Sequence, residues 1–289
     1  PEPRVRETGL QMKFVGFPEQ RGQFATDLSQ APPLQSWLRE DDNKELMKGV
    51  LESLFHCQKP AYLSKLIGWS VACHYRMLFH KVYNQFPLLH INGAAGQGKT
   101  VMAGLVANFH YYRQAPKMLT PTSTLFAVSY AASGSASVPL ILDEFKPSEM
   151  KQDTYDRFKL MMRDAYNCRN TERGGGNREN SDYRAVHTTA LSAPICFIAE
   201  AAESESALME RVVLLTLSKP PVIQAQVYHA KVSYAIEHKH ILGILGSYMA
   251  AQIVQKYSLD QLRQEFGVIY AEARKVLMLQ HGEEKKHCK

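Results

Sequence analysis

Eight residues, Gly93-Ala94-Ala95-Gly96-Gln97-Gly98-Lys99-Thr100, fit the pattern G-x-x-x-x-G-K-[ST] of a phosphate-binding P-loop. The chemistry of such a loop is electrostatic. Glycines let successive backbone N–H groups curl round a phosphate chain, and the helix that follows adds the partial positive charge of its N-terminus. Lys99 is placed to reach the β- and γ-phosphates, and the Thr100 hydroxyl to hold Mg2+. The expected nucleotide-binding set is therefore Gly93, Ala94, Ala95, Gly96, Gln97, Gly98, Lys99, Thr100 and Val101. The motif has meaning only between a strand and a helix. Phe86-Pro87-Leu88-Leu89-His90-Ile91-Asn92 enters it as an apolar strand, and Val101 to Phe109 leave it with a helical pattern. The flanks imply a nucleoside triphosphate ligand rather than a glycine turn that binds nothing.

A second constellation completes the chemistry. Leu140-Ile141-Leu142-Asp143-Glu144 is an apolar strand ending in two carboxylates, about 45 residues beyond Lys99. Asp143 is expected to hold Mg2+ through its water shell. Glu144 is expected to orient and deprotonate the water that attacks the γ-phosphate. A hydrolase needs that second carboxylate, whereas a kinase acting on a metabolite would not need it here. Glu200 ends the apolar run Ile195 to Ala199, at the position of a polar γ-phosphate sensor. An anion there is unfavourable unless a cation or water intervenes; a solvated loop acid is the alternative. Arg211 opens the run Val212 to Leu217 and could neutralise charge developing on the γ-phosphate, in its own or a neighbouring subunit's site. It could equally pair with Glu210 or Glu205. Lys99, Glu144, Glu200 and Arg211 form the expected catalytic group.

The elements that must position these residues follow from patterning. Residues 1–33 show weak period-2 hints and end at Ala31-Pro32-Pro33, which reads as a linker. In residues 34–84 Leu46, Val50, Leu51 and Leu54 fit one helix, and Ile67, Val71 and Met77 or Leu78 another, with Pro60 between them. Residues 85–220 hold the core. It includes a weak strand over Pro116 to Thr120, then a helix begun by Thr120-Pro121-Thr122 that carries Leu125, Val128 and Ala132. A further helix is expected over Ser148 to Asn167, with strands at Val138 to Leu142, Ile195 to Ala199 and Val212 to Leu217. Residues 221–289 read as helical. Short apolar strands separated by helices specify an α/β fold, a P-loop NTPase-like parallel sheet covered on both faces. Ligand groups gather at the carboxyl ends of such strands, and the residues singled out above are expected there. Arg169 to Arg184 is glycine-rich and reads as irregular; Arg169, Arg173, Arg178 and Arg184 could present cations to a nucleic-acid backbone. Asp164, Glu172, Glu179 and Asp182 nearly cancel that charge, so a plain surface loop is the alternative.

Bulk properties bound the rest. The 289 residues carry a net charge of +6 with 45% hydrophobic content, which leans mildly towards acidic partners such as nucleic acid. Five scattered cysteines without a C-x-x-C argue against a zinc site or a disulfide scaffold and for a reducing cytosol. No apolar run approaches the ~20 residues of a membrane helix. The start, Pro1-Glu2-Pro3, lacks Met and a signal core, and reads as a piece of something longer.

The order of parts resembles the ATPase domain of phage and mobile-element primase-helicases, close to superfamily 3 helicases and the wider AAA+ group. The resemblance covers about residues 60 to 220. It rests on Ile67-Gly68-Trp69-Ser70-Val71-Ala72, the P-loop, Val138 to Phe145, Ala193 to Glu200 and Ala207 to Val213. It implies an ATP- and Mg2+-dependent DNA helicase or translocase that moves on single-stranded DNA in replication. It further implies a homo-oligomeric ring, usually a hexamer, with active sites between subunits. Lys99, Thr100, Asp143 and Glu144 match the family's motifs, and Arg211 takes the place of an arginine finger supplied in trans. Relatives of superfamily 3 commonly carry Asn where this chain has Glu200. A primase or polymerase domain outside this sequence and a cytoplasmic setting in a bacterial host are also implied, with no membrane partner. The rival expectation is a signalling or scaffold ATPase whose nucleotide state switches assembly without unwinding nucleic acid.

Overall fold

A computed structural model describes residues 30–111, 118–120, 123–175, 185–200, 205–218, 225–256 and 258–287. Its strands are β1 (Leu88–Asn92), β2 (Leu140–Phe145), β3 (Asn170–Gly175), β4 (Ala185–Ala190), β5 (Ile195–Ala199) and β6 (Val212–Thr216). The helices are α1 (Leu34–Trp37), α2 (Asp41–Cys57), α3 (Pro60–Cys73), α4 (Arg76–Tyr83), α5 (Lys99–Asn108), α6 (Leu125–Ala132), α7 (Gln152–Tyr166), α8 (Ser206–Met209), α9 (Ala225–Glu237), α10 (His240–Lys256) and α11 (Leu259–His287). Four strands form one parallel sheet in the order β2-β5-β1-β6, so β5 lies between the P-loop strand and the strand of paired carboxylates. Leu119 extends the sheet beyond β2 by a single parallel bridge, its N–H donating to Ile141 at 3.1 Å and its carbonyl accepting from Asp143 at 2.8 Å. That bridge is what stands at the expected strand over Pro116 to Thr120.

The strands lack polar alternation because both faces are covered. Leu89, Ile91, Ile141, Cys196, Ile198 and Leu215 pack on one side against α2, α3, α5 and α10 through Leu54, Trp69, Met102 and Ile241. Leu88, Leu140, Leu142, Ile195, Phe197 and Ala199 pack on the other against α6, α7 and α8 through Val128, Phe158, Met162 and Leu208. Alternate residues thus serve alternate layers, and each large side chain fully buried stabilises by about 1.5–3 kcal/mol.

Several elements depart from the sequence reading. The second expected helix of the 34–84 region is two, because the chain turns at His74-Tyr75 and restarts as α4; Leu78 is then buried while Met77 stays exposed. The helix expected from Ser148 begins at Gln152, after a short 3-10 turn over Pro147–Glu149 and an extended Met150. Of the stretch Arg169 to Arg184 read as irregular, Asn170–Gly175 is a strand, with β3 and β4 paired antiparallel from Asn170↔Ala190 to Gly175↔Ala185, and residues 176–184 lie outside the described residues. Glycines and charges hide the strand pattern there, but ladder pairing satisfies the backbone. Helix α9 packs along α2, so residues far apart in sequence share one layer; a Cβ on Gly49 would meet the Tyr234 hydroxyl at 2.9 Å.

The described residues divide into two compact units, one up to Ala250 and one from Ala251 onward. In the second, α11 starts at a reciprocal cap: Gln261 N–H donates to Ser258 Oγ at 3.2 Å, and Ser258 N–H to Gln261 Oε1 at 2.8 Å. Among the described residues no helix is long and apolar enough to cross a membrane.

Candidate nucleotide-binding site

The P-loop joins the buried end of β1 to the first turn of α5. Gly93, Gly96 and Gly98 all have positive φ, at 153°, 72° and 79°. A Cβ at Gly93 would lie 2.2 Å from Gln97 Oε1 and 3.1 Å from the Leu217 carbonyl, so a side chain there is excluded. Ala94, Ala95 and Gly96 form an exposed crest, while Val101 is half-buried in α5. Lys99 Nζ turns back over the loop and donates to the carbonyls of Gly93 at 2.7 Å and Ala94 at 3.0 Å. It stands as a cation poised where phosphate oxygens would be stronger acceptors.

Thr100 and Asp143 meet across the sheet. Thr100 Oγ1 donates to Asp143 Oδ2 at 3.1 Å, and Glu144 N–H donates to Asp143 Oδ1 at 2.8 Å. A regular strand would point Asp143 and Glu144 to opposite faces. Here the register shifts between Leu142, opposite Phe197, and Phe145, opposite Ala199. Glu144 is the extra residue, at φ 60°, and Phe145 returns to the same layer as Leu142. Such a bulge re-aims a side chain, and the left-handed backbone of a non-glycine residue stores strain of order 1–3 kcal/mol. Glu144 is left exposed beside a half-buried Asp143. A cavity of about 510 Å³ is lined by Thr100, Asp143 and Glu144 together with Met118 and Lys239.

The oxygen donors fit a magnesium ion and not an all-protein metal cage. Thr100 and Asp143 offer two hard oxygens in hydrogen-bond contact, and Mg2+ keeps several waters and takes its remaining ligands from phosphate. Among the described residues no group of three or more His, Cys, Asp or Glu could hold a metal. Behind the site, burial and then the charge of Asp143 push the Cys196 thiol upward, so it is inert.

Glu200 is exposed at the carboxyl end of β5. The sequence left open what could offset its charge. Lys146, just past β2, is the nearest answer: its ammonium is held above the ordinary value by a hydrogen bond and charge from Glu149, then by Glu200 and Glu144. Lys146 Nζ lies 3.2 Å from Glu149 Oε1. The Asp143-Glu144-Phe145-Lys146 spacing was a usable sequence signal for it. Lys239, in the cavity wall, and Tyr228, whose hydroxyl would stand 3.1 Å from a Cβ on Gly98, had none, since Tyr228 comes from α9 and Lys239 from the turn after it, both far from the motifs in sequence.

Arg211 is not brought to this site. Its carbonyl accepts from Leu88 N–H at 3.0 Å, which fixes it at the amino end of the sheet, opposite the P-loop. The expectation that all these residues gather at carboxyl ends therefore fails for Arg211, because it precedes its strand instead of following it. Its guanidinium donates to the Ala207 carbonyl and lies 5.5 Å from the Tyr166 ring centroid. Glu205, one suggested partner, pairs instead with Lys159 and Arg163 of α7. Of the arginine group, Arg169 is exposed before β3 and Arg173 lies in β3 opposite His187. Arg178 and Arg184 lie outside the described residues.

This sequence matches no protein-family model and no curated protein. Among solved structures, it is similar to JCV Helicase bound to an acetamide compound, at 14% identity and a TM-score of 0.43, over 72% of this chain and 53% of that one. A second JCV Helicase structure gives 15% identity and a TM-score of 0.40, over 73% and 53%. SCCmec type IV Cch, described as an active helicase, gives 11% identity and a TM-score of 0.42, over 87% and 52%. The chain spans about half the length of these solved chains.

Proposed function

We propose that this chain is an ATP-hydrolysing motor module, a DNA helicase or translocase that acts on single-stranded DNA as part of a ring. The observation that carries the reading is the contact of Thr100 with Asp143, beside a bulge that turns Glu144 outward from the same strand end. A binder of phosphate needs only the loop; a hydrolase needs a carboxylate free to take a proton next to it. Lys99 exchanges its two carbonyl partners for phosphate oxygens. Thr100 and Asp143 hold Mg2+, which when bound neutralises charge on the β- and γ-phosphates. Glu144 orients a water and accepts its proton as the oxygen attacks the γ-phosphorus; the bond from that phosphorus to the β–γ bridging oxygen breaks, and ADP and inorganic phosphate leave. Residues 85–220 form the ATPase core of this reading. Arg211 serves the site of a neighbouring copy, and Arg169, Arg173, Arg178 and Arg184 meet DNA.

The test uses two variants and one ligand. Lys99→Ala is expected to abolish ATP binding, and Glu144→Gln to keep binding while turnover falls by about 10²–10⁴. Single-stranded DNA is expected to stimulate wild-type ATPase activity at low salt. Full activity in Glu144→Gln would remove the assigned base. Absence of DNA affinity and stimulation would favour a nucleotide-switched scaffold.

A further inference from the structure

The carboxyl ends of three adjacent strands form a row. Asn92 of β1 pairs with Ala199 of β5, which also pairs with Phe145 of β2. The next residue on each strand is Gly93, Glu200 and Lys146, so these stand side by side at the roughly 4.8 Å spacing of neighbouring strands. Gly93 opens the phosphate loop, and Lys146 lies at the other end of the row, two residues beyond Glu144. Carboxylates surround it: Glu149 at 3.2 Å from Nζ, with Glu200 and Glu144 nearby. Among the described residues neither Glu144 nor Glu200 makes an ion pair. Lys99 and the magnesium site of Thr100 and Asp143 answer the phosphate from the loop side, so on the side of Glu144 and Glu200 the ammonium in the row is the cation available to a terminal phosphate.

The bond now holding that ammonium is easily given up. Lys146 and Glu149 are an i,i+3 pair across the short Pro147–Glu149 turn, with side chains 38% and 67% exposed. Pairs so open to solvent are weak, whereas an ammonium on a doubly charged phosphate makes a charge-assisted bond. We propose that Lys146 is the residue by which this site tells a nucleoside triphosphate from a diphosphate, its Nζ leaving Glu149 for the terminal phosphate while Glu200 keeps it beside that phosphate. Glu200 then acts as a positioning residue for a cation and not as a direct contact to phosphate.

This inference rests on the nucleotide-binding reading above, and the experiment separates the two. Affinities of the 289-residue chain for a non-hydrolysable ATP analogue and for ADP, both with Mg2+, are measured by calorimetry. Lys146→Ala is expected to weaken the analogue about tenfold and leave ADP unchanged, with Lys146→Arg restoring most of the loss. Glu149→Gln, which leaves the ammonium in place, is expected to tighten the analogue about two- to threefold and leave ADP unchanged. Equal weakening of both nucleotides in Lys146→Ala, or an unchanged analogue-to-ADP ratio in both Lys146→Ala and Glu149→Gln, would overturn the role of Lys146. Were wild type to bind neither nucleotide, or Lys99→Ala to bind both normally, the nucleotide site itself would fall instead.

Discussion

Acid is expected to loosen the helix that carries the P-loop, and the amount can be worked from two histidines. His74 caps the end of α3 and His110 lies just past the end of α5; their ring centroids are 4.4 Å apart in the core. Burial pushes His74 from its ordinary 6.5 down to about 4, against a smaller upward pull from a hydrogen bond to the Phe109 backbone. Burial, then the neighbouring His74, hold His110 well below the ordinary value. Both are neutral when folded, and two charged rings cannot share this space. As pH falls through 6.5 the unfolded chain takes up protons that the folded chain refuses until about pH 4, so stability is complete above 6.5 and is lost on the way down. For His74 alone the interval from 6.5 to about 4 amounts to about 3 kcal/mol, at 1.36 kcal/mol per pH unit. That is a large share of a typical 5–15 kcal/mol stability. By pH 5, above the range where most carboxylates titrate, about 2 kcal/mol should already be gone. Urea unfolding followed by circular dichroism at pH 7, 6 and 5 reads this directly. His74→Phe keeps a ring in place and should flatten the dependence. An unchanged urea midpoint between pH 7 and 5, or an equal slope in His74→Phe, would refute the reasoning.

Other perturbations are expected to act as follows. Arg76 is a buried cation with no carboxylate partner among the described residues, donating to the carbonyls of Ala165 at 3.1 Å, Leu191 at 2.7 Å and Ser192, so Arg76→Leu should cost about 3–5 kcal/mol by urea denaturation. Gly246→Ala would put a Cβ 1.9 Å from the Phe109 carbonyl and should lower stability by about 1–3 kcal/mol. Gly68, in the middle of α3 with nothing within 4 Å of an added Cβ, is the control: Gly68→Ala should raise stability by about 0.5–1 kcal/mol. Arg211→Ala and Lys99→Ala should each lose ATPase activity alone yet regain part of it when mixed, as steady-state phosphate release would show.

What the sequence made legible was local. The P-loop and the paired carboxylates are short motifs whose meaning survives without knowledge of the fold, and both lie at the carboxyl ends of the strands. The double-covered sheet was legible because short continuous apolar runs such as Ile195 to Ala199 alternate with helical patterns, as in parallel sheets covered on both faces. What escaped depended on register and distance. Nothing in Asn170 to Gly175 signals a strand until Ala185 to Ala190 pairs with it. The bulge that frees Glu144 shows only in its pairing with β5. Arg76 reads as an ordinary surface arginine of a helix, and its burial is set by carbonyls more than 80 residues away.

The placement of Arg211 constrains how such a site could work. The P-loop leaves β1 at its carboxyl end, and Arg211 meets β1 at its amino end, opposite Leu88. Five residues at about 3.3 Å each put roughly 16 Å between these ends, more than an arginine side chain spans. Within one copy the two can meet only if the sheet itself is broken, which its double-sided burial opposes. An arginine that serves phosphate must then reach the carboxyl end of a different copy. Contact of the amino end of one sheet with the carboxyl end of the next is heterologous, and heterologous contacts close into rings or run on as filaments. The β3–β4 hairpin is rooted at the same end as Arg211, because Leu191 to Pro194 link it to the start of β5. Under the proposed role of Arg211, a change at one copy's phosphate reaches the base of the next copy's hairpin. That route needs no long-range pathway inside a subunit, only a rigid sheet between its two ends.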